Sequence, residues 1–428
     1  MKKCLVLGGG FAGLTSAVYL SKAGFKVELL EASPKLGGRA YSLLEPVTGE
    51  IVDNGQHIFM GCYKETLKFL KVTGSLGKLE FQGSLTINFL KENNKLFQLS
   101  ASKFLYPLNL LLALLNYKAI TFSERLLMLK FFFKLPFNLN KDLCKMTVLE
   151  WLEKENQNEN IRKAFWDFLS IGALNTNPET ASAKVFSDTL KEIFLRGSKA
   201  AKIILAREGL SETYCNSAQK FIGKNGGEIS LSEKAEELIV ENHKIIKVKT
   251  GKREISDYDF VVSALPHYAL EKIIEIKNHF KNPVLQYSSI LSVHLWLKQN
   301  NLQKSFYGLI GSQIHWVFNH ISYLTLVISD AERFMELSKE EIFAIAYEEL
   351  NKFMGISREE ITTYKVIKEK RATFIPSNNV LGSRPETETK IKNLFLAGDW
   401  IETGLPSTIE SAVKSGRMAA DLIINHKQ

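Results

Sequence analysis

The stretch VLGGGFAGLTSAVYLSKAGFKVELLE, Val6 to Glu31, decides the fold. It reads as strand, glycine turn, helix and strand: Lys3 to Leu7, Gly8 to Gly13, Leu14 to Ala23, and Lys26 to Leu30. In Gly8-x-Gly10-x-x-Gly13 the first glycine permits the tight turn, the second lets backbone approach a pyrophosphate, and the third lets helix and strand pack closely. Phe11 and Ala12 lie inside that turn, and a diphosphate there would rest on the positive N-terminus of the helix. A glycine turn alone is a weak signal. Here it is joined by small Ala17 and Gly24 and by Glu31, followed by Ala32, at the end of the second strand. A carboxylate there can accept two hydrogen bonds from a ribose diol. The plain alternative, a helix with a glycine turn and a surface acid, accounts for less of this combination.

FAD and NAD both use such a turn, so other stretches must separate them. Directly after Glu31 comes ASPKLGGRAYS, in which Gly37, Gly38 and Arg39 would let backbone pass close to a cofactor while the arginine faces its phosphates. DNGQH, residues 53–57, places Gly55, Gln56 and His57 in a polar loop between apolar runs, although an ordinary turn explains Asp-Asn-Gly as well. Near the chain end, AGDWIETGLPSTIESAVKSG, residues 397–416, runs from a buried-type strand through Gly398-Asp399 to a helix start. In a FAD protein of this layout Asp399 would bond the ribityl or pyrophosphate part. Ser407 and Glu410, spaced S-x-x-E after Pro406, mark that start, and the N–H groups around Ser407, Thr408 and Ile409 would face the flavin's pyrimidine edge.

With 428 residues, 45% hydrophobic and 24% charged, the chain can bury a large core and is long enough for about two domains. Its apolar runs, such as Leu110 to Leu115, fall short of the roughly 20 residues of a membrane span. Gly8 to Gly10 interrupts the apolar run after Met1-Lys2-Lys3, so a retained N-terminus and a cytoplasmic protein are expected. Cys4, Cys62, Cys144 and Cys215 lack metal spacing and are expected to be packing residues. With no HExxH pair either, no metal is expected. The net charge of +9 is spread along the chain, so no nucleic-acid partner is expected.

Beyond the opening βαβ unit, residues 63–205 read as mostly helical, with a capping-box start at Thr147…Glu150 and a short strand pair near Leu85 to Leu99. Strands return at Glu228 to Leu231, Glu237 to Val240, Ile245 to Val248 and Phe260 to Ser263. Ile290 to Leu297 and Tyr323 to Ile328 also read as strands, and Ser338…Glu341 opens another helix. The expected fold is α/β: a discontinuous Rossmann-like FAD-binding domain from residues 1–75, 206–265 and 371–428, with an inserted α+β substrate domain from 76–205 and 266–370.

At this point the chain resembles the flavin-dependent amine oxidase and phytoene desaturase superfamily. Within it, DNGQH at 53–57, RATF at 371–374, Arg384-Pro385 and LFLAGDWIETGLPSTIESAVKSG at 394–416 look like the hydroxysqualene dehydroxylases, also called squalene-associated FAD-dependent desaturases. The specific motifs cover about the first and last sixty residues. The resemblance implies an FAD-dependent oxidoreductase that reductively removes an allylic hydroxyl from hydroxysqualene, giving squalene for hopanoid or related triterpenoid synthesis. Such chemistry needs a general acid and exclusion of water. His57 is the candidate acid. Glu410 flanks the same edge but could be tied up in its own helix cap.

Segments 104–117 and 124–139 pack leucine and phenylalanine densely, with Lys118, Arg125, Lys130 and Lys134 among them. They read equally as core helices, as the lining of an apolar tunnel, or as a surface lying on a membrane with the basic side chains snorkelling. A hydrophobic isoprenoid substrate drawn from a bilayer makes peripheral attachment, at the inner face of the plasma membrane, the expectation. No second glycine-rich turn argues for a separate NAD(P)H site, which leaves the electron donor external. A carotenoid-type desaturase is the nearest alternative. A flavin-free isoprenoid carrier is remoter, because it needs neither Glu31 nor Gly398-Asp399.

Overall fold

β1 (Lys3–Leu7) pairs in parallel with β2 (Lys26–Leu30) on one side and with strand Phe260–Ser263 on the other. The full sheet runs Glu228–Ser230, β2, β1, Phe260–Ser263, Leu394–Leu396, every pairing parallel. CLVL, FVVS and LFL are near-continuous apolar runs, as a sheet covered on both faces requires. In the computed structural model, residues 1–102, 104–137, 140–275 and 279–426 are described. Distant parts of the chain thus build one sheet, as the sequence predicts. α1 (Phe11–Lys22) begins three residues before the predicted helix, within the glycine turn itself.

The C-terminal helix, Ile409–Asn425, lies against α1. A side chain at Gly416 would put its Cβ 2.2 Å from the Ala12 carbonyl oxygen, so the backbones touch there. Ser16 Oγ donates to the Gly416 carbonyl at 3.1 Å.

A second sheet has the order Ile361–Phe374, Tyr287–Leu297, Tyr323–Ser329, Trp316–Asn319, Phe306–Leu309, Thr86–Lys91, Lys95–Ser100. One face carries Leu291, Val293, Leu295 and Leu326 against Ile342, Ala346 and Leu350 of the helix Lys339–Met354. That helix starts with the capping box read from Ser338 and Glu341, and Thr147 with Glu150 forms another. Strand Ile361–Phe374 runs through position 371, so RATF belongs to this second sheet and not to the nucleotide-binding segment. The strand is continuous there, and no composition change marks the crossing.

Between them sits a hairpin, β3 (Ser42–Leu44) with β4 (Ile51–Asp53), which leads into the DNGQH loop. α2 (Lys64–Val72) follows. The region read as mostly helical also contributes Leu79–Phe81 and Ile203–Ala206 to a small sheet with Phe59–Met60, whose pieces are too short to show a period in sequence. α3 (Leu108–Leu115) and α4 (Phe122–Lys134) pack one face each on a core with Trp151 and Trp166. Their other faces leave Leu108, Phe122, Leu126 and Phe133 exposed, and the residues flanking them leave Phe104, Leu105 and Phe137 exposed. The two segments are therefore both core and apolar surface, and residues 138–139 of the second lie outside the described residues. Arg125 does not snorkel: it donates to the carbonyls of Leu115 and Ile120. Cys144 is exposed, unlike buried Cys4 and Cys215. Among the described residues no helix is long and apolar enough to cross a membrane.

Candidate active site

α1 starts with Gly10 as N-cap, without a side-chain acceptor and without an acid in its first turn, although Phe11 and Ala12 are only 5% exposed. A buried, uncapped helix start leaves N–H groups and dipole unanswered, which is the condition an anion satisfies. This is the observation on which an FAD diphosphate fits. Gly8 has φ +102, and a Cβ on Gly13 would fall 1.9 Å from the Gly8 carbonyl oxygen, so the first glycine makes the turn and the third allows the close approach. A Cβ on Gly38, φ +57, would stand 3.2 Å from Gly10 Cα, so the two glycine loops face each other with no side chain between.

Glu31 is held in place by two backbone donors: Gly9 N–H to Oε2 at 2.6 Å and Ser33 N–H to Oε1 at 2.7 Å. Each oxygen keeps a lone pair for a ribose hydroxyl. Ala32 beside it is exposed. The glycine loop that holds Gly37 is secured from behind by Tyr214, whose hydroxyl bonds the Gly37 and Ala40 carbonyls at 2.8 and 2.6 Å and whose ring stacks on Phe11 at 3.6 Å. Nothing in the sequence singles out Tyr214; only the fold brings it there.

Arg39, expected to face the phosphates, is held by two partners from the far end of the chain. Its Nη2 donates to Asp399 Oδ1 at 2.5 Å and its Nη1 to the Ala372 carbonyl at 2.9 Å. The Ser407 hydroxyl donates to the other Asp399 oxygen. Burial alone would raise the Asp399 pKa, but Arg39 and Ser407 outweigh it and hold the carboxyl below its usual value. Asp399, expected to bond the cofactor directly, thus also organises Arg39 and the approach to the last helix. Gly398, φ +143, donates its N–H to Ser415 Oγ at 2.7 Å.

The helix start differs from the S-x-x-E reading. Thr408, not Ser407, is the N-cap, accepting the Ser411 N–H at 3.1 Å, and Ile409 is the first helical residue. Glu410 does not close its own cap but caps α2, accepting the N–H groups of Glu65 and Thr66. The first N–H groups of this helix are left to a ligand, as a flavin pyrimidine edge would use them. The loop before it is clamped by Arg384, which pairs with Glu402 and donates to the Leu405 carbonyl at 2.8 Å.

The DNGQH loop is tied to the Arg39 loop by Asn54, which donates to the Arg39 carbonyl at 2.9 Å and accepts the Tyr41 N–H at 3.0 Å. Gln56 is half-buried. His57 donates from Nδ1 to the Gly55 carbonyl at 2.8 Å. A carbonyl can only accept, so Nδ1 carries the hydrogen and Nε2 the lone pair. Burial, and then nearby Arg39, push its pKa down, so the ring is neutral at pH 7. Immediately after His57, Ile58 and Met60 enter an apolar cluster with Leu85, Ile193, Ile203, Phe306, Phe318 and Val327. This joins the loop to the inner face of the second sheet.

Comparison with known proteins agrees with this geometry. The profile of the family described as "Flavin containing amine oxidoreductase" matches residues 11–424. The chain is similar to the hydroxysqualene dehydroxylase of Sinorhizobium fredii, 27% identical over 99% of both chains. It is 24% identical to the 15-cis-phytoene desaturase of Synechococcus elongatus, over 98% of this chain and 95% of that one. In fold it resembles the crystal structure of an oxidoreductase from Methanosarcina mazei, with a TM-score of 0.75 and 17% identity over 98% of this chain and 100% of the other.

Proposed function

We propose, from the premise that this chain belongs to the flavin-containing amine oxidoreductase family, that it removes the hydroxyl of hydroxysqualene reductively to give squalene. FAD is its cofactor; bound and reduced, it supplies the hydride that replaces the hydroxyl on carbon. The chain supplies the rest. In its protonated form His57 passes the proton from Nε2 to the departing oxygen, which keeps the C–O electron pair and leaves as water, and the ring returns to the neutral form with its lone pair on Nε2. The allylic carbon left behind is short-lived in water, and the apolar cluster beginning at Ile58 and Met60 keeps water from it. That cluster, closing directly on the flavin-facing loop, is the observation that carries the reading: it suits a hydrocarbon chain. The full-length similarity to a hydroxysqualene dehydroxylase supports the choice of substrate.

The substrate dissolves in bilayers, and the exposed Phe104, Leu105, Leu108, Phe122, Leu126, Phe133 and Phe137 support attachment to a membrane surface. Exposed Lys118 and Lys130 add attraction to anionic lipid, while Lys134 is paired with Glu155 at 2.6 Å.

The test is anaerobic. Dithionite-reduced protein incubated with hydroxysqualene should yield squalene and oxidised flavin in equal amounts. No squalene, with oxidised protein instead dehydrogenating a polyene such as phytoene, would favour the desaturase reading that the weaker similarity to phytoene desaturases carries.

A further inference from the structure

Strand Ile361–Phe374 shifts register against the first part of strand Tyr287–Leu297. Thr373 pairs with Ser288 and Glu369 with Ile290, so Lys370, Arg371 and Ala372 together stand against Ser289 alone. A bulge bends its strand and re-aims the side chains on it, and bulges collect beside functional sites. This one falls within RATF. At the bulge the Ala372 carbonyl accepts from Arg39 Nη1 at 2.9 Å, and the Arg371 guanidinium lies over the ring of Tyr268, 4.4 Å from its centre. Tyr268 packs edge-on to Tyr287, 5.9 Å between ring centres, and the Tyr287 hydroxyl bonds His267 Nδ1 at 2.8 Å. Among the described residues no carboxylate or carbonyl takes a hydrogen bond from the exposed Arg371 guanidinium. Asp399, whose charge reaches His267 and Tyr287, is already matched by Arg39 and Ser407. Glu271, one turn beyond His267, is exposed to solvent.

Both loops that flank the phosphate turn lead to this arginine. On one side Gly38 faces Gly10, and the next residue, Arg39, bonds Ala372. On the other, a Cβ on Gly8 would stand 3.0 Å from the Ala264 carbonyl oxygen, and the chain runs on from Ala264 through Pro266 to His267 and Tyr268. A diphosphate carries a charge on each phosphate, whereas a helix start offers only about half a charge. We propose that Arg371 completes the diphosphate site: the second sheet brings a cation to the FAD phosphates that rest on α1. A guanidinium presents its N–H donors as a fork that matches phosphate oxygens, and stacking on Tyr268 holds it by the face and leaves the fork free. The turn belongs to the first sheet and Arg371 to the second, so bound cofactor ties the two sheets together. This inference concerns the cofactor and is independent of the substrate.

The test separates the phosphates from the flavin ring. Full-length protein freed of flavin is titrated with FAD and with riboflavin, which has no phosphate, each read by quenching of protein fluorescence. Arg371→Ala should weaken FAD binding roughly tenfold to a hundredfold, the range of a hydrogen bond to a charged group, and leave riboflavin affinity unchanged. Arg371→Lys, which keeps the charge without the fork, should recover part of the loss. Added salt should weaken FAD binding to the wild type more than to Arg371→Ala. If the alanine variant fails to fold, Arg371→Gln should show the same selective loss. Unchanged FAD affinity in a folded variant overturns the proposal. Equal loss of FAD and riboflavin overturns it too, because the arginine would then act on the ring or on the fold and not on the phosphates.

Discussion

Glu410 of the C-terminal helix accepts both the N–H of Thr66, at 2.9 Å, and its hydroxyl, at 2.7 Å. One carboxylate therefore caps α2 from a helix more than three hundred residues away in sequence, and locks the helix facing the flavin site to the segment that follows DNGQH. Removing it leaves buried donors unanswered. Glu410→Ala should lower stability by about 1–3 kcal/mol, read as a reduced urea midpoint with flavin saturating. Burial raises the Glu410 pKa above 4.5 against the opposing cap donors. The folded state thus holds that proton more tightly than the unfolded chain, and this site's contribution declines as pH rises from 4.5 to the raised value, then levels. An unchanged midpoint in Glu410→Ala would show that the cap carries no stability.

Gly13→Ala should give apoprotein. The new Cβ would stand 1.9 Å from the Gly8 carbonyl oxygen, so either the turn or the helix must shift where the diphosphate sits. Gly24→Ala, at φ +81 with nothing within 4 Å, is the control for backbone strain without a clash. Bound flavin after purification, read by absorbance, should be lost in the first and largely kept in the second.

Asp399→Asn removes the charge that pairs with Arg39 while leaving an oxygen to accept its hydrogen bond. Because the Arg39 side chain is 36% exposed, solvent screens the pair, and the stability cost should be about 1 kcal/mol or less. Flavin release on acidification is the more sensitive readout. The depressed carboxyl stabilises the folded protein above pH 3.8 and loses that contribution as pH falls through its lowered pKa. Wild-type protein should show an acid-release step below pH 3.8, and Asp399→Asn should lack it.

The neutral His57 sets a pH dependence. Its acid form is favoured only below a pKa lower than 6.5, so turnover should fall as pH rises through that value and be small at pH 8. His57→Gln should hold flavin and lose at least tenfold in kcat at pH 6. Full turnover in that variant would remove His57 from the proton path.

Leu105→Ser and Phe137→Ser, at residues 85% and 80% exposed, should leave the melting temperature unchanged and weaken sedimentation with anionic vesicles at low salt. Each large side chain carries roughly 1.5–3 kcal/mol of burial, so the double change should reduce binding at least tenfold. Equal co-sedimentation of wild-type and variant protein would mean that this surface does not meet lipid.

The nucleotide half of the site was legible because its chemistry is local. Gly8, Gly10, Gly13 and Glu31 lie within one βαβ unit, where turn geometry and the reach of a carboxylate depend on residues a few positions apart. Gly398-Asp399 announced itself the same way, as an acid at a strand end before a helix. Arg39 was found by its glycine neighbours but its partner was not, since the Arg39–Asp399 contact spans most of the chain. Glu410 was misassigned for the same reason: its spacing from Ser407 fits a local cap, whereas the donors that hold it come from Glu65 and Thr66.

What the sequence determined by itself is what short-range physics controls: the βαβ start, the capping boxes, the apolar strands and the class of cofactor. Tertiary structure alone decided what depends on elements meeting in space. It set Tyr214 behind the Gly37 loop, Asn54 between two loops, and Arg371 over Tyr268. An arginine in a strand or a tyrosine in a helix carries no mark of its eventual neighbour, because hydrogen bonding and burial act at contact and the chain records only order.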